Sequence, residues 1–203
     1  MLHGSSVRFE TRRSWKNERK LMPTGAAVLE YRLAASSDAL CIGVLATQVF
    51  LDTYATDGIR PDLAREVLAG YSPEVFAARL SAAATTFVVA EVAGSLAGFA
   101  EINRESPCPV DAVATRVELV RLYVQRPFQR NGVGTALLAR AERHASEAGA
   151  RAIWLAAWSG NQPALAFYRA ARYGEVGRVA HVIEGRTYEN RVFVKSLKGK
   201  PGK

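Results

Sequence analysis

Before Thr85 the apolar residues recur mostly at helical spacing; after it they run and alternate as in strands. Residues 28–33 read as a first strand. Ser37-Asp38 then supplies a helix N-cap, and Leu40, Val44, Leu45, Gln48, Val49 and Asp52 follow at helical spacing, with the apolar members on one face. Asp57-Gly58 and Pro61 end that helix, and two short helices are predicted over 61–68 and 73–83. The second opens on Ser72-Pro73-Glu74: a cap, a first-turn proline and an acid at the positive helix end. Residues 86–92 and 96–102 flank the turn Gly94-Ser95 and predict a hairpin. Residues 117–124 alternate less cleanly, as a strand covered on both faces does. Val133, Leu137, Ala141, Ala145 and Ala148 mark one face of a helix that stops at Gly149. A strand over 152–158, a helix over 163–171 and a hairpin of 176–182 with 188–194 around Glu184-Gly185 complete the order. It mixes antiparallel hairpins with a βαβ-like middle, so the predicted class is α+β, or mixed α/β.

The chain has 203 residues, 49% of them apolar and 23% charged, which suits one domain with tails and excludes neither helix nor sheet. No apolar run approaches the roughly 20 residues of a membrane helix, and the first 20 residues have no apolar signal core. Cys41 and Cys108 are too few for a disulfide framework and read as reduced thiols, so a cytoplasmic location is expected. The net charge of +8 invites a nucleic-acid reading, but the excess is terminal. Residues 1–25 hold Arg8, Arg12, Arg13, Lys16, Arg19 and Lys20 against Glu10 and Glu18. Residues 195–203 hold Lys195, Lys198, Lys200 and Lys203 and no acid. The segment between is balanced. A folded nucleic-acid binder carries its basic stripe on the domain, so this distribution argues against that partner. It predicts a basic, disordered extension over 1–25, one domain over 26–197 and a basic tail over 198–203. The methionines at 1 and 22 suggest Met22 as an alternative start.

The segment from Leu122 to Thr135 reads as a strand, a polar loop with two glycines, and a helix. A helix N-terminus exposes unpaired N–H groups and partial positive charge. Gly132 and Gly134 allow that backbone to reach an anion such as a pyrophosphate, with Arg130 and Thr135 adding charge and a hydroxyl. A βα turn that needs glycine only for its geometry would look the same. A Walker loop is excluded because residues 26–194 contain no lysine. A nicotinamide fingerprint is excluded because position 137 is leucine and the next strand ends Ala157-Trp158, without an acid.

Gln129-x-x-Gly132-x-Gly134 resembles the Gln/Arg-x-x-Gly-x-Gly/Ala loop of the GNAT superfamily of acyl-CoA N-acyltransferases. Trp154-Leu155-x3-Trp158-x2-Asn161-x2-Ala164-x2-Phe167-Tyr168 is similar to that family's fifth strand and following helix. The likeness covers residues 26–197. Thr47-x-x-Phe50-x-Asp52-Thr53-Tyr54 is similar to bacterial members that include spermidine- and spermine-type acetyltransferases. The resemblance implies a mostly antiparallel sheet of six to seven strands, flanked by about four helices, with splayed central parallel strands. It implies acetyl-CoA as cosubstrate and no metal. The backbone of Leu122, Tyr123 and Val124 would meet the pantetheine arm. Amides of Gln129, Arg130, Asn131, Gly132, Val133, Gly134 and Thr135 would hold the pyrophosphate. Asn161 would contact pantetheine or cap its helix, and Tyr168 would stand near the sulfur. Arg172 and Tyr173 stand where the family has glycine and phenylalanine. Either the helix closes on a non-glycine left-handed residue, at roughly 1–2 kcal/mol, or it runs on to Gly174.

Acetyl transfer to an alkylamine needs a base, because an amine of pKa about 10.4 is mostly protonated near neutrality. Glu118 is the first candidate and Glu101 the second. The alternative for Glu118 is an ion pair with Arg121 or Arg116. Tyr168 is the candidate acid for the departing thiolate, against plain packing, and the Leu122 amide is the candidate oxyanion donor. Cys41, expected on the apolar side of the first helix, and Cys108 have no histidine nearby, so covalent catalysis is not expected. His3, His144 and His181 lack ligand spacing. Asp52, Asp57, Asp62 and Glu66, near Tyr54, suit a cationic polyamine or an amino-terminal substrate, or form a solvated helix end. The lead reading is an N-acetyltransferase for a small amine or a peptide amine. A non-catalytic acyl-CoA-binding module of the same fold is the alternative, and a homodimer is left open.

Overall fold

The computed structural model describes residues 28–197. The extension 1–25 and the tail 198–203 lie outside the described residues, as do His3 and Met22. Seven strands form one sheet in the order β1-β2-β3-β4-β5-β7-β6. They are β1 (Leu29–Leu33), β2 (Thr85–Val92), β3 (Ser95–Asn103), β4 (Glu118–Val124), β5 (Ala152–Trp158), β6 (Gly174–Ile183) and β7 (Arg186–Ser196). The helices are α1 (Ala39–Tyr54), α2 (Pro61–Gly70), α3 (Pro73–Ser81), α4 (Val133–Glu147) and α5 (Gln162–Ala170), five where about four were expected.

Every neighbouring pair is antiparallel except β4–β5, which is parallel and joined through α4. Both faces of the sheet are covered, which is why β2 and β3 read as continuous apolar runs rather than clean alternations. One face packs Val88, Ala100, Ile102, Leu119 and Leu155 under α4 and α5, through Leu137, Leu138, Ala141 and Leu165. The other packs Phe87, Val89 and Phe99 under α1–α3, through Ile42, Leu45, Phe50, Leu63 and Phe76.

The α1 face differs from the expected one. Its buried residues are Ala39, Ile42, Gly43, Leu45, Ala46 and Phe50, while Leu40 and Val44 are 60% and 63% exposed. Cys41 is exposed too, not on the apolar side. The helix turns its small residues inward because it lies close to the α2–α3 corner. A Cβ at Gly43 would stand 2.8 Å from the Tyr71 carbonyl oxygen.

The helix α5 ends at Ala170 and does not reach Gly174. Arg172 itself takes the left-handed conformation, with φ of 66°. The N–H of Tyr173 bonds back to the Tyr168 carbonyl and that of Arg172 to the Arg169 carbonyl, the two bonds of a Schellman closure.

Candidate active site

Strands β4 and β5 meet at one register pair, Glu118 with Trp154, backed by a bond from the Trp154 N–H to the Val117 carbonyl. Beyond it they diverge toward their C-terminal ends. The Gln125 N–H bonds to the Ala97 carbonyl of β3. By the two-residue period of an antiparallel ladder, Tyr123 also directs its backbone to β3, while Leu122 and Val124 direct theirs into the gap facing β5. The Val124 carbonyl there accepts from the Gln129 side-chain amide at 2.9 Å. The Leu122 N–H and carbonyl and the Val124 N–H therefore line an open strand edge. The Tyr123 side chain lies on the face of α1–α3, ring to ring with Phe99.

Where β4 stops, a 3₁₀ turn at Arg126–Phe128 leads into the loop before α4. The Gln129 N–H is used within that turn, bonding to the Arg126 carbonyl. With its side chain on Val124, Gln129 is a brace between loop and strand and not an amide donor to a ligand. The first intrahelical bond of α4 runs from Ala136 to Gly132. The amides of Arg130, Asn131, Gly132, Val133, Gly134 and Thr135 have no partner among the described residues. Gly132 caps the helix at φ of 83° with open space around it, so its backbone angle is what requires glycine. Arg130 shares the left-handed region at 61°. The result is a concave run of N–H groups on a positive helix end, beside the free edge of β4.

Asn161 caps α5, accepting from the Ala164 N–H at 3.1 Å, which satisfies the second of the two roles expected of it. Tyr168 is buried on the α4–α5 face, its ring against Phe167, Tyr173 and Phe193. Burial holds its phenol well above the ordinary range. The phenol hydroxyl makes no hydrogen bond among the described residues.

Glu118 sits at the apex of the gap. It accepts from the Ser106 hydroxyl at 2.6 Å, and Ser106 in turn accepts through its carbonyl from the Trp154 indole. Burial pushes the Glu118 carboxyl up from its ordinary value. The Ser106 bond opposes this, the Glu101 charge adds to it, and Arg121 and Arg79 pull it back. Neither Arg121 nor Arg116 forms an ion pair with it. Glu101 is 1% exposed and fully engaged: Arg79 holds one carboxylate oxygen at 2.9 Å and Arg121 the other at 2.5 Å. Both oxygens of Glu101 are thus taken by guanidiniums, whereas Glu118 has a hydroxyl as its direct partner.

The expected acidic cluster is not assembled as free charge. Asp62 pairs with Arg60 at 3.2 Å and faces Arg186 at 3.8 Å, and the Arg60 bond holds its carboxyl below the ordinary value. Glu66 turns toward Gly70. Asp52 and Asp57 are exposed. What the sequence did not suggest is an aromatic wall at the mouth of the gap. Tyr54, Trp158 and Tyr188 lie 5.2 to 6.0 Å apart, centroid to centroid. The three come from α1, β5 and β7, so no local pattern reveals them. Among the described residues no three His, Cys, Asp or Glu side chains gather as metal ligands, and no helix is long and apolar enough to cross a membrane.

A parallel strand pair that splays beside an amide-lined helix N-terminus is the arrangement that the resemblance to acyl-CoA N-acyltransferases implies. The acetyltransferase (GNAT) family model matches residues 54–173, more than half of the chain, and the chain belongs to that family. It is 23% identical over 124 residues, 61% of this chain and 72% of the relative, to an uncharacterised N-acetyltransferase of the pepI 3′ region from Lactobacillus delbrueckii subsp. lactis. Solved structures share the fold. The PaiA N-acetyltransferase of Thermoplasma acidophilum in complex with coenzyme A superposes with a TM-score of 0.65 at 21% identity, covering 83% of this chain and 99% of that one. The putative acetyltransferase YncA of Salmonella typhimurium, with acetyl-CoA, does so at 0.62 and 20%, covering 87% and 98%.

Proposed function

We propose that this chain transfers the acetyl group of acetyl-CoA directly to a primary amine, a small amine or a peptide amine, with residues 26–197 as one catalytic domain of a cytoplasmic protein. The observation that carries the reading is the single β4–β5 bridge with the free edge of β4 and six unpartnered amides just beyond it. Those donors suit a pyrophosphate (the amides of 130–135) and an amide-bearing arm (Leu122 and Val124). When bound, acetyl-CoA supplies an activated thioester. The protein's own groups stand on opposite sides of the gap. Glu118 lies on the α1–α3 side, where its raised carboxyl suits removal of a proton from an ammonium. Tyr168 lies on the α4–α5 side, protonated and able to donate to the departing sulfur. The Leu122 N–H, aimed into the gap, stabilises charge developing on the carbonyl oxygen. The amine nitrogen bonds to the acetyl carbon as the carbon–sulfur bond breaks, and the products are the amide and the free thiol. Holding both reactants in one cleft supplies much of the acceleration.

The test is calorimetric titration with coenzyme A, combined with thiol release from acetyl-CoA in the presence of amines of several classes. The reading expects saturable binding and amine-dependent thiol release. Binding without turnover on any amine would leave the non-catalytic module in its place.

A further inference from the structure

The side-chain carbonyl of Asn190 stands beside the aromatic wall without a hydrogen-bond partner among the described residues. Asn190 faces Trp158 directly across the β5–β7 ladder, and directly opposed residues share one face of a sheet. Its Oδ1 is buried without a hydrogen-bond partner, and among the described residues only Arg191 Nε is in the same condition. Arg191 Nε lies 3.4 Å from a carboxylate oxygen of Glu189. Buried side-chain carbonyls are satisfied in the great majority of proteins, so an orphan at the mouth of a reaction cleft points to a donor that arrives with a ligand.

The wall around it has a consistent chemistry. Trp158 lies flat against Gly160, where a Cβ would come within 2.4 Å of the indole, so the glycine fixes the ring at the end of β5. Tyr54 and Tyr188 complete a surface of three rings. Arg60 donates to the Tyr188 hydroxyl at 2.8 Å and also holds Asp62. Asp62, which shares Arg60 with the Tyr188 hydroxyl, is thus neutralised, and a polycation gains little from it.

Resting on the acetyltransferase reading, we propose that the acceptor is a monoamine on an apolar, aromatic body. Its ring or chain packs on Trp158, Tyr54 and Tyr188, and its nitrogen donates to Asn190 Oδ1 while it waits for the thioester. Aromatic faces favour both halves of such a molecule: flat carbon by stacking and an ammonium by cation–π attraction. Polyamines, which need several free carboxylates, are disfavoured.

The experiment compares 2-phenylethylamine with spermidine as acceptor for the full chain, reading thiol release from acetyl-CoA. The expected kcat/KM for phenylethylamine exceeds that for spermidine by about tenfold or more, the scale on which a matched pocket discriminates. Trp158→Leu and Asn190→Leu should each raise the phenylethylamine KM by about tenfold, with kcat within about twofold, the mark of lost ground-state binding. Unchanged calorimetric affinity for coenzyme A would show these variants folded. The isosteric Asn190→Asp, which adds one free charge, should narrow the preference for phenylethylamine over spermidine. A wild-type preference for spermidine, or an unchanged phenylethylamine KM in both leucine variants, overturns the inference and leaves the acetyltransferase reading standing. Turnover of no amine by a chain that binds coenzyme A overturns both.

Discussion

Two carboxylates one strand apart show how environment assigns roles to identical chemistry. Glu101 and Glu118 face the same layer of the molecule, yet Glu101 is locked between Arg79 and Arg121 while Glu118 has only the Ser106 hydroxyl as a direct partner. Burial therefore raises the Glu118 proton affinity above the ordinary carboxylate value of 4.5. For a general base the ionised form is active, so kcat/KM should fall as pH drops through this elevated pKa, higher than an exposed glutamate would give. Glu118→Gln should remove that acid limb and lower kcat by about 10²-fold or more, with coenzyme A affinity unchanged. A pH–rate profile of the variant that keeps the same acid limb would move the role to another group. The same shift acts on folding with the opposite sense. The native state binds the Glu118 proton more tightly than the unfolded chain does. The corresponding stability is therefore present below the unfolded pKa and is lost as pH rises through the folded one.

At the scale of elements, the middle of the chain was the most legible part. β5 occurs over its expected residues and β4 and α4 begin or end within one residue of theirs, because strong strand runs meet a loop whose two glycines mark the turn. The structure separates those glycines by cause. Gly132 holds φ of 83° in open space, whereas Gly134 is not in the left-handed region and leaves 3.8 Å to the Phe167 ring for an added Cβ. Gly132→Ala should therefore cost roughly 1–2 kcal/mol of strain and weaken coenzyme A binding by about tenfold as the amide run tilts. Gly134→Ala should leave both near wild type, since ordinary van der Waals contact awaits it. Equal losses for both, by urea denaturation and calorimetry, would contradict this division. α1 was the least legible element. Hydrophobicity favours Leu40 and Val44 as its inner face, but close approach to the Tyr71 backbone selects Gly43 and Ala46 instead. The aromatic wall and the orphan Asn190 were illegible for another reason: they are assembled from α1, β5 and β7, and only the sheet order brings them together.

For the molecule as a whole, the question is what fixes the helical layer of α1–α3 to the sheet while the gap between β4 and β5 stays open. The Arg79–Glu101–Arg121 triad spans α3, β3 and β4, and the Arg121 guanidinium lies 5.5 and 5.7 Å from the ring centroids of Tyr71 and Phe76. It ties the α1–α3 layer to the strand that carries both Glu118 and the free edge at Leu122. A buried ion group of this kind is costly to break and cheap to replace. Removing one partner strands a charge, while an apolar substitute of similar volume avoids the desolvation altogether. Glu101→Gln should thus destabilise the protein by about 3 kcal/mol, because it leaves Arg121 buried and uncompensated. Glu101→Leu combined with Arg121→Met should recover most of that loss, since neither charge then remains in the layer. Urea unfolding of the two variants measures the contrast. If the triad also sets the position of β4, the double variant should regain stability without regaining turnover, while the coenzyme A loop keeps its affinity for the thiol nucleotide. A double variant as active as the wild type would reduce the triad to packing and place the anchoring of β4 entirely in its ladder with β3.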